Sequence, residues 1–439
     1  MSQTAKHGAS PSKVATVFRV TSGNFLEMFD FFLFGFYASY LSKAFFPQAS
    51  EAAGLMLTFA TFGAGFLMRP LGAIIFGHIG DRVGRGPALL WSVIAMAVPT
   101  FVIGALPTYA EIGIAAALLM VLCRIVQGLA VGGEYTSSAV FLAETAHPER
   151  RGAASAWAPF GAVAGILLGS AVGALVINTM PLEQVLAWGW RIPFLLGVVV
   201  GGVAFIIRRR IPFDEPAAKE GFPLAEAFRK HPVQLLQVIS LSLVNAVGFY
   251  LIFVYIITWL KLFADVGART ALLINSFNMA VLLVVILGAS RLSDRIGRKP
   301  ILAGAAIGLL FLSWPLMALM QTGNAYYILL GQFGFALLIG SYTAVNPIAI
   351  CEIFPRHVRC SAVSAAYNTT LGIAGGTAPA VATWLIEITG NPAVPAIYIM
   401  ASAAVSAVAA LSIHESSRLA ITDSVMPHLA VPASESTRL

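Results

Sequence analysis

Charged residues are scarce in this chain. Only 11% of its 439 residues are charged, whereas a soluble protein carries about 25%. The three cysteines, Cys123, Cys351 and Cys360, lie in or beside apolar runs, so we expect no disulfide framework. The sequence also lacks the Gly-x-Ser-x-Gly, His-Glu-x-x-His and phosphate-binding-loop motifs and any metal-ligand cluster. We therefore expect that the protein is not an enzyme and that it binds no metal and no cofactor. An integral-membrane enzyme is the weaker alternative.

Apolar sequence, in contrast, is abundant. Hydrophobic residues make up 58% of the chain, and the apolar runs reach the ~20 residues that cross a bilayer. A soluble fold of this length has too little interior for so much apolar surface. We predict an all-α membrane protein with twelve transmembrane helices near 18–41, 52–77, 87–107, 112–144, 152–178, 188–208, 233–261, 267–290, 300–320, 325–353, 359–388 and 393–414.

The first apolar run resembles a signal peptide because basic residues precede it. However, it carries Glu27 and Asp30 and has no clean cleavage site. We therefore predict that it is retained as the first transmembrane helix.

The basic residues sort to one side of this predicted topology. Most of the 27 lysines and arginines fall in the tails and in alternate loops, and only Lys43, Arg191, Lys261 and Arg269 fall at the opposite surface. Basic residues accumulate on the cytoplasmic side of membrane proteins, so we predict that both termini are cytoplasmic. The net charge of +7 then reflects topology, and we expect no nucleic-acid partner.

A short charged turn occurs twice, each time between two apolar runs. The matching residues are Asp81 and Asp294, Gly84 and Gly297, and Arg85 and Arg298. A second set of matches follows, in which Glu144 and Arg151 correspond to Glu352 and Arg359. The chain therefore contains two copies of one helical bundle, the arrangement found in alternating-access transporters.

A polar segment separates the two copies. The predicted organisation is an N-terminal tail at 1–17, a six-helix bundle at 18–208, a cytoplasmic loop at 209–232, a second six-helix bundle at 233–414 and a C-terminal tail at 415–439.

The charged turns are candidates for a cytoplasmic gate. Their arginines can pair with acids at neighbouring helix ends, and Glu144 and Glu352 are natural partners for Arg82 and Arg85. Each such surface pair contributes about 0–1 kcal/mol, which suits a contact that must open in each cycle. Loop anchoring is the alternative role. The predicted gating residues are Asp81, Arg82, Arg85, Glu144, Arg151, Asp294, Arg295, Arg298, Glu352 and Arg359.

The duplicated turn resembles the signature of the major facilitator superfamily, Gly-x-x-x-Asp-Arg-x-Gly-Arg-(Arg/Lys). The first copy departs from it at Gly86, where a basic residue is usual. The region from Arg19 to Tyr37, with Arg69-Pro70 and Gly132-Gly133-Glu134, is similar to the metabolite:proton symporter family. This resemblance implies two pseudo-symmetric six-helix bundles in a bacterial inner membrane and proton-coupled uptake by alternating access.

The same resemblance leaves the substrate open. The first helix is most similar to citrate and tricarballylate symporters, whereas Glu134-Tyr135 is closer to α-ketoglutarate and proline/betaine members. The expected function is symport of a di- or tricarboxylate. Proline or glycine betaine symport is one alternative, and a non-transporting membrane sensor is another.

Three acids are candidates for proton coupling. Ionisable groups at membrane depth cost about 2.5–3.5 kcal/mol each on insertion scales, so few are tolerated. Glu27 and Asp30 lie three residues apart and share a helix face with Asn24, while Glu134 lies in the fourth helix. All seven histidines fall in predicted cytoplasmic segments. The coupling ion is therefore expected to be a proton that Glu27, Asp30 or Glu134 carries.

Two arginines are candidates for substrate binding. Arg124 can serve as a counter-ion for an acid or as the anchor for a substrate carboxylate, because its guanidinium offers two parallel donors. Arg69 can reach the membrane interface or face the cavity. The other predicted substrate residues are Asn24, Gln127, Tyr37, Tyr250, Asn275, Asn278, Tyr342, Asn346 and Asn368. The expected partners are a small-molecule substrate and the lipid bilayer, with a monomer as the default state.

Glycines of the fifth predicted helix recur every fourth residue, at Gly161, Gly165, Gly169 and Gly173. Small residues at this spacing let helix backbones approach closely. Two interpretations remain open, either static packing or a smooth surface over which the halves move.

Overall fold

The structure, a computed structural model, describes residues 13–82, 85–208 and 223–415, without the side chains of 13–16, 19, 77–82, 85–90, 200, 204, 207–208 and 223. Every regular element in these ranges is helical, as predicted. Twelve long helical segments follow one another in the described ranges, and each overlaps one predicted span.

The N-terminal half contains six of these segments. They are α1 (Lys13–Phe36 and Ala38–Phe45), α2 (Glu51–Leu67 and Arg69–Arg82), α3 (Arg85–Ala105), α4 (Ile114–Val131 and Glu134–Thr145), α5 (Arg151–Ser155 and Trp157–Thr179) and α6 (Arg191–Arg208, preceded by Leu182–Gln184 and a π-helical turn, Val185–Gly189). Short helices at Tyr109–Ile112 and Pro148–Arg150 lie between them.

The C-terminal half contains the other six. They are α7 (Pro232–Phe249, a π-helical segment Tyr250–Tyr255, and Ile256–Phe263), α8 (Ala268–Ile296), α9 (Arg298–Met320), α10 (Ala325–Glu352), α11 (Arg356–Thr370, a π-helical segment Leu371–Gly375, and Gly376–Thr389) and α12 (Val394–Ser412). A short helix at Pro223–Lys230 lies within the predicted central loop.

Nine helices in the described ranges are long and apolar enough to cross a membrane. A bent pair, Leu182–Gly189 with Arg191–Val203, makes a tenth if its two parts, inclined at 50°, form one span.

Several predicted helices are interrupted where we expected continuous ones. α2 breaks at Met68, because Pro70 has no backbone N–H to bond the preceding turn. α4 breaks at Gly132 and Gly133, which places Glu134 in the first turn of a new helix. These breaks put irregular backbone in the protein interior, where it can line a binding site.

The second charged turn is tight because of one glycine. α8 ends at Ile296 and α9 begins at Arg298, so only Gly297 lies between them, with a φ of 107°. Residues with a Cβ rarely adopt this conformation. Glu415 then accepts hydrogen bonds from the backbone N–H groups of Arg298 and Lys299 at 2.9 and 3.0 Å. It thereby caps the first turn of α9.

The two halves contact each other through equivalent helices. α2 packs against α11, where a Cβ at Gly63 would lie 3.0 Å from the carbonyl oxygen of Gly376. α5 packs against α8, and the hydroxyls of Ser170 and Ser276 lie 2.8 Å apart. Since α8 repeats α2 and α11 repeats α5, the two contacts are symmetry counterparts.

The glycines of α5 face α1 of the same half. A Cβ at Gly165 would overlap the carbonyl oxygen of Phe25, and one at Gly161 would lie 2.7 Å from the carbonyl oxygen of Thr21. This supports the static-packing interpretation, and the interpretation as a moving surface is wrong for α5. Glycines of α11 meet the opposite half instead, because Gly372 and Gly376 pack against Phe66.

Candidate functional site

The three polar side chains of α1 face the interior. Asn24, Glu27 and Asp30 are each 6% exposed or less. Their spacing of three residues places them on one helix face, as the sequence predicted. The structure therefore brings both acids of α1 into the N-terminal half, away from lipid.

Asp30 ends a chain of hydrogen bonds. The hydroxyl of Thr100 lies 3.3 Å from Asp30 Oδ2, and Gln127 Nε2 donates to that hydroxyl at 2.7 Å. Arg124 Nη1 donates to Gln127 Oε1 at 2.8 Å. Asp30 and Arg124 are thus linked through two neutral side chains of α3 and α4.

Thr100 can donate only one proton, and it also bonds the carbonyl oxygen of Met96 at 2.9 Å. If the hydroxyl donates that proton to the Met96 carbonyl and accepts from Gln127, its oxygen has one lone pair left for a further donor. A protonated Asp30 would supply this donor. The other oxygen of Asp30, Oδ1, is buried and has no hydrogen-bond partner within the described residues, which is costly for an ionised carboxylate.

Arg124 is enclosed on all sides. Its guanidinium carbon lies 4.0 Å from the ring centroid of Phe31, 4.6 Å from Phe34 and 5.2 Å from Phe62. Nη2 donates to the carbonyl oxygen of Phe31 at 3.2 Å, in addition to the bond from Nη1 to Gln127. Aromatic faces and carbonyl groups stabilise the cation without a substrate.

The position of Arg69 agrees with only one of its two expected roles. It does not reach the membrane interface, because it is fully buried. Nη2 lies 3.7 Å from Glu27 Oε1, so the two form an ion pair between α2 and α1. None of its three guanidinium nitrogens makes a hydrogen bond of standard geometry within the described residues.

Arg69 also faces the C-terminal half. It interacts electrostatically with the hydroxyls of Tyr250 in α7 and Tyr367 in α11. The ring of Phe66 lies 5.2 Å from its guanidinium carbon. A buried cation at the seam between the halves, with no hydrogen bond of standard geometry in the described part of the chain, is suited to bind an anion.

The three predicted acids share one small cavity. Glu27, Asp30 and Glu134 line it together with Ser92, and its volume is about 30 Å³. This is roughly the space of one water molecule. Glu134 is half-buried at the start of the second part of α4. One water molecule in this cavity would be enough to pass a proton between the carboxyl groups.

The amides of the C-terminal half form a separate network. Gln332 Nε2 donates to Asn275 Oδ1 at 2.7 Å and to the carbonyl oxygen of Ile252 at 3.0 Å. Asn278 Nδ2 lies 3.3 Å from Gln332 Oε1. The structure thus joins Asn275 and Asn278 to α10 and α7 rather than to the acids.

Other predicted substrate residues hold helices together. Tyr342 donates to the carbonyl oxygen of Leu241 at 2.7 Å, and Tyr37 donates to that of Gly173 at 3.3 Å. Asn368 Nδ2 donates across the seam to the carbonyl oxygen of Gly132 at 2.6 Å. Asn346 is fully buried, and neither atom of its amide has a hydrogen-bond partner in the described part of the chain.

The charged cluster predicted from the second motif copy is assembled. Arg298 Nη1 lies 2.7 Å from Asp294 Oδ1, and Nη2 lies 3.5 Å from Glu352 Oε1. Asp294 also accepts hydrogen bonds from the backbone N–H groups of Gly152 and Ala153, both at 2.9 Å. The carboxylate of α8 therefore caps α5 of the opposite half.

A second contact crosses the seam nearby. Arg359 Nη1 of α11 donates to Glu144 Oε1 of α4 at 2.5 Å. Arg151 is buried and interacts electrostatically with Glu352. Arg295 is exposed at the end of α8 and lies outside this cluster, contrary to expectation. The side chains of Asp81, Arg82 and Arg85 lie outside the described residues, so the pairing expected of them stays a prediction.

Sequence reasoning missed Thr100 and Gln332. Each is flanked by apolar residues within an apolar helix, and that was the available signal. Both are fully buried and join other polar residues.

Repeated helical bundles, a polar seam and buried acids beside buried arginines define the class of this protein as a membrane carrier. The family model described as Major Facilitator Superfamily matches residues 20–338 and 266–424. The chain belongs to the major facilitator superfamily, which comprises transporters, and the protein is not an enzyme.

Two curated relatives illustrate the similarity. A citrate-proton symporter of Klebsiella pneumoniae is 36% identical, and the match covers 90% of each chain. A proline/betaine transporter of Salmonella typhimurium is 34% identical over 90% of this chain and 82% of its own. Among solved structures, the proton:xylose symporter XylE bound to 6-bromo-6-deoxy-D-glucose has a TM-score of 0.72 and 19% identity, covering 92% of this chain and 96% of XylE. The expected fold is confirmed.

Proposed function

We propose that this protein is a proton-coupled symporter that imports a small carboxylate by alternating access, acting as a monomer in a bacterial inner membrane with both termini in the cytoplasm. Relatives described as a citrate-proton symporter and a proline/betaine transporter support symport of small metabolites. The observation that carries the proposal is the buried Arg69, which lies beside the acid Glu27 and makes no hydrogen bond of standard geometry within the described residues.

Asp30 is the first candidate for the proton carrier. Its hydrogen bonding with Thr100 is best satisfied when it carries a proton, as described above. Release of that proton requires water to reach the small cavity shared with Glu27 and Glu134. Opening of the N-terminal half toward one side of the membrane would supply this water.

Arg69 is the candidate anchor for the substrate carboxylate. Of the two alternatives for Arg124, the counter-ion role fits better, because Arg124 is held by Gln127, a backbone carbonyl and three aromatic rings. Arg69 has comparable burial but no hydrogen bond of standard geometry to any described residue. A substrate carboxylate would supply two acceptors to it.

Glu27 would couple the two events. At 3.7 Å from Arg69, the ionised carboxylate competes with a substrate carboxylate for the same guanidinium. A proton on Glu27 removes that competition, so proton binding favours substrate binding. By linkage, substrate binding then favours proton binding to the same extent.

Alternating access would arise from movement of the halves at 18–208 and 233–414. The cytoplasmic contacts of Asp294 with α5 and of Glu144 with Arg359 must separate for that side to open. The π-helical segments of α7 and α11 lie at the seam, where Tyr250 and Gly372 each contact Phe66 of α2. Such segments are frequent at functional sites.

A zwitterion such as proline or glycine betaine is the second candidate substrate. Phe66 and Tyr250 form an aromatic wall beside Arg69, with ring centroids 4.9 Å apart. Aromatic faces bind quaternary ammonium groups, and the nearby Glu27 is the complementary acid. The relative that is a proline/betaine transporter is nearly as similar as the citrate symporter.

The test is an uptake screen. Cells that express the protein are given citrate, tricarballylate, α-ketoglutarate, proline or glycine betaine, each radiolabelled, with vector-only cells as the control. We expect saturable uptake of one of the carboxylates that a protonophore abolishes. Uptake of proline or betaine alone would replace the carboxylate proposal, and uptake of none would favour the sensor alternative.

A further inference from the structure

A second cavity lies at the membrane face opposite the charged turns. It measures about 240 Å³, room for roughly eight water molecules. Its lining residues come from both halves. The polar ones are Ser39, Ser42, Lys43, Ser50, Glu51, Thr258 and Lys261. The acid cavity shares none of these residues, so the two cavities are distinct.

The charge of this cavity is positive. Lys43 and Lys261 contribute two positive charges and Glu51 contributes one negative charge. The two lysines repel each other electrostatically, and Glu51 attracts Lys261. The cavity can therefore accept an anion, which would relieve the repulsion between the lysines. The hydroxyl groups on its wall could donate hydrogen bonds to that anion.

The two lysines belong to different halves. Lys43 lies in the last turn of Ala38–Phe45 in α1, and Lys261 lies in the last turn of Ile256–Phe263 in α7. The ammonium group of Lys261 also lies 5.9 Å from the ring centroid of Tyr40 in α1. The cavity therefore crosses the seam, and its width changes when the halves move.

We propose that this cavity is an outer capture site for anionic carboxylates, which concentrates the substrate at the mouth of the pathway before it reaches Arg69. This inference rests on the proposed function for the destination of the anion, but the positive potential of the cavity can be tested separately. Clefts lined by one sign of charge raise the local concentration of an oppositely charged substrate and its rate of association.

The potential is measured with a cysteine probe. Ser39→Cys is introduced into a Cys360→Ser background, and intact cells are treated with 2-sulfonatoethyl or 2-(trimethylammonium)ethyl methanethiosulfonate. We expect the anionic reagent to be favoured, and the ratio of the two rates to fall about tenfold when Lys43→Gln and Lys261→Gln are added. An unchanged ratio overturns the proposal, whether or not transport is observed.

Capture itself is measured as the KM for citrate or for the carboxylate found in the uptake screen. We expect Lys43→Gln with Lys261→Gln to raise KM about three- to tenfold at low salt without lowering kcat, and to flatten its dependence on ionic strength. Glu51→Gln should have the opposite effect and lower KM. Arg269→Gln removes an exposed charge from the same predicted surface outside the cavity and should leave KM unchanged.

The two proposals fail differently. A protein that transports a carboxylate with the same KM in the lysine variants would contradict the capture site and leave the symporter intact. A wild-type protein that transports no carboxylate would contradict the proposed function and the role in capture, whereas the reagent ratio would still report the charge of the cavity.

Discussion

Two buried arginines of this protein differ in how their hydrogen-bonding groups are used. Both terminal nitrogens of Arg124 donate to the protein, Nη1 to Gln127 and Nη2 to the carbonyl of Phe31, and three rings cover its guanidinium. Arg69 has an ion pair with Glu27 but no hydrogen bond of standard geometry among the described residues. Although both arginines are fully buried, we therefore expect Arg69 to bind the substrate and Arg124 to act as a counter-ion within the protein.

Substitution at these arginines should separate their roles. We expect Arg69→Lys to raise KM at least tenfold, because an ammonium cannot make the paired bonds of a guanidinium to a carboxylate. Arg124→Lys should instead lower the amount of folded protein, since a single ammonium replaces the two separate nitrogens that donate to Gln127 and to the Phe31 carbonyl. Transport kinetics normalised to the yield of folded protein distinguish the two. Equal KM values for Arg69→Lys and wild type would oppose the assignment.

Asp30 should be required for proton coupling rather than for translocation. Asp30→Asn cannot exchange a proton, but its amide can still donate to Thr100. We expect the loss of proton-driven accumulation by at least tenfold, while exchange of labelled for unlabelled substrate is retained. Glu183→Gln, which removes an acid outside the site, is the control. Undiminished uphill accumulation by the Asp30→Asn variant would exclude Asp30 as the carrier.

The placement of the acids could be predicted, and that of the arginines could not. A spacing of three residues puts Glu27 and Asp30 on one helix face, and their cost in lipid puts that face inside. The position of Arg69 depends on the break at Met68 and on tyrosines of the other half. The enclosure of Arg124 depends on Thr100 and Phe62, whose contacts are set by packing between helices.

The backbones of α2 and α4 are in direct contact where they cross. A Cβ at Gly128 would overlap the carbonyl of Gly65, and one at Gly72 would overlap the carbonyl of Leu129. Arg69 lies one helical turn before Gly72 in α2, and Arg124 lies one turn before Gly128 in α4. The close packing at these glycines therefore fixes the positions of the two arginines relative to each other.

Alanine at these crossings should destabilise the protein. Gly128→Ala or Gly72→Ala forces the backbones apart, and overpacking of this kind costs about 1–3 kcal/mol or more. Gly304→Ala, where a Cβ meets nothing within 4 Å, should have little effect. Thermal unfolding in detergent measures the difference. Equal melting temperatures for the Gly128 and Gly304 variants would contradict the described packing.

The contact between α4 and α11 should hold the cytoplasmic face closed. Glu144→Gln leaves the buried Arg359 without its charged partner, which favours separation. The exposed Cys360, whose sulfur lies 3.7 Å from the hydroxyl of Ser137 in α4, is a natural reporter. We expect Glu144→Gln to raise the rate of Cys360 alkylation in inside-out vesicles severalfold. Glu149→Gln is the control, and equal rates in both variants would oppose the gating role.

The number and order of the helices followed from the apolar runs, but their interruptions did not. Composition and length alone predict where an apolar run crosses a bilayer. The breaks at Met68, at Gly132 and in the π-helical segments depend on partners in other helices. The moving-surface interpretation of α5 failed for the same reason, since the glycine spacing does not say which helix will pack against it.

At the scale of the molecule, the repeat is visible in both sequence and packing. The cross-half contacts α2 with α11 and α5 with α8 are symmetry counterparts, as a duplicated bundle requires. The candidate site residues are distributed unevenly over this symmetric frame. Glu27, Asp30, Glu134, Arg69 and Arg124 lie in the N-terminal half, whereas the C-terminal half supplies tyrosine hydroxyls and an amide network of its own.

The central claim is that a proton gradient drives the substrate through this protein. Purified protein is reconstituted into liposomes with an acidic exterior and a neutral interior, and the accumulation of the carboxylate found in the uptake screen is followed. We predict accumulation above the external concentration, which collapses when a protonophore is added and is absent at equal pH. Equilibration to the external concentration only, unaffected by the pH difference, would contradict the account.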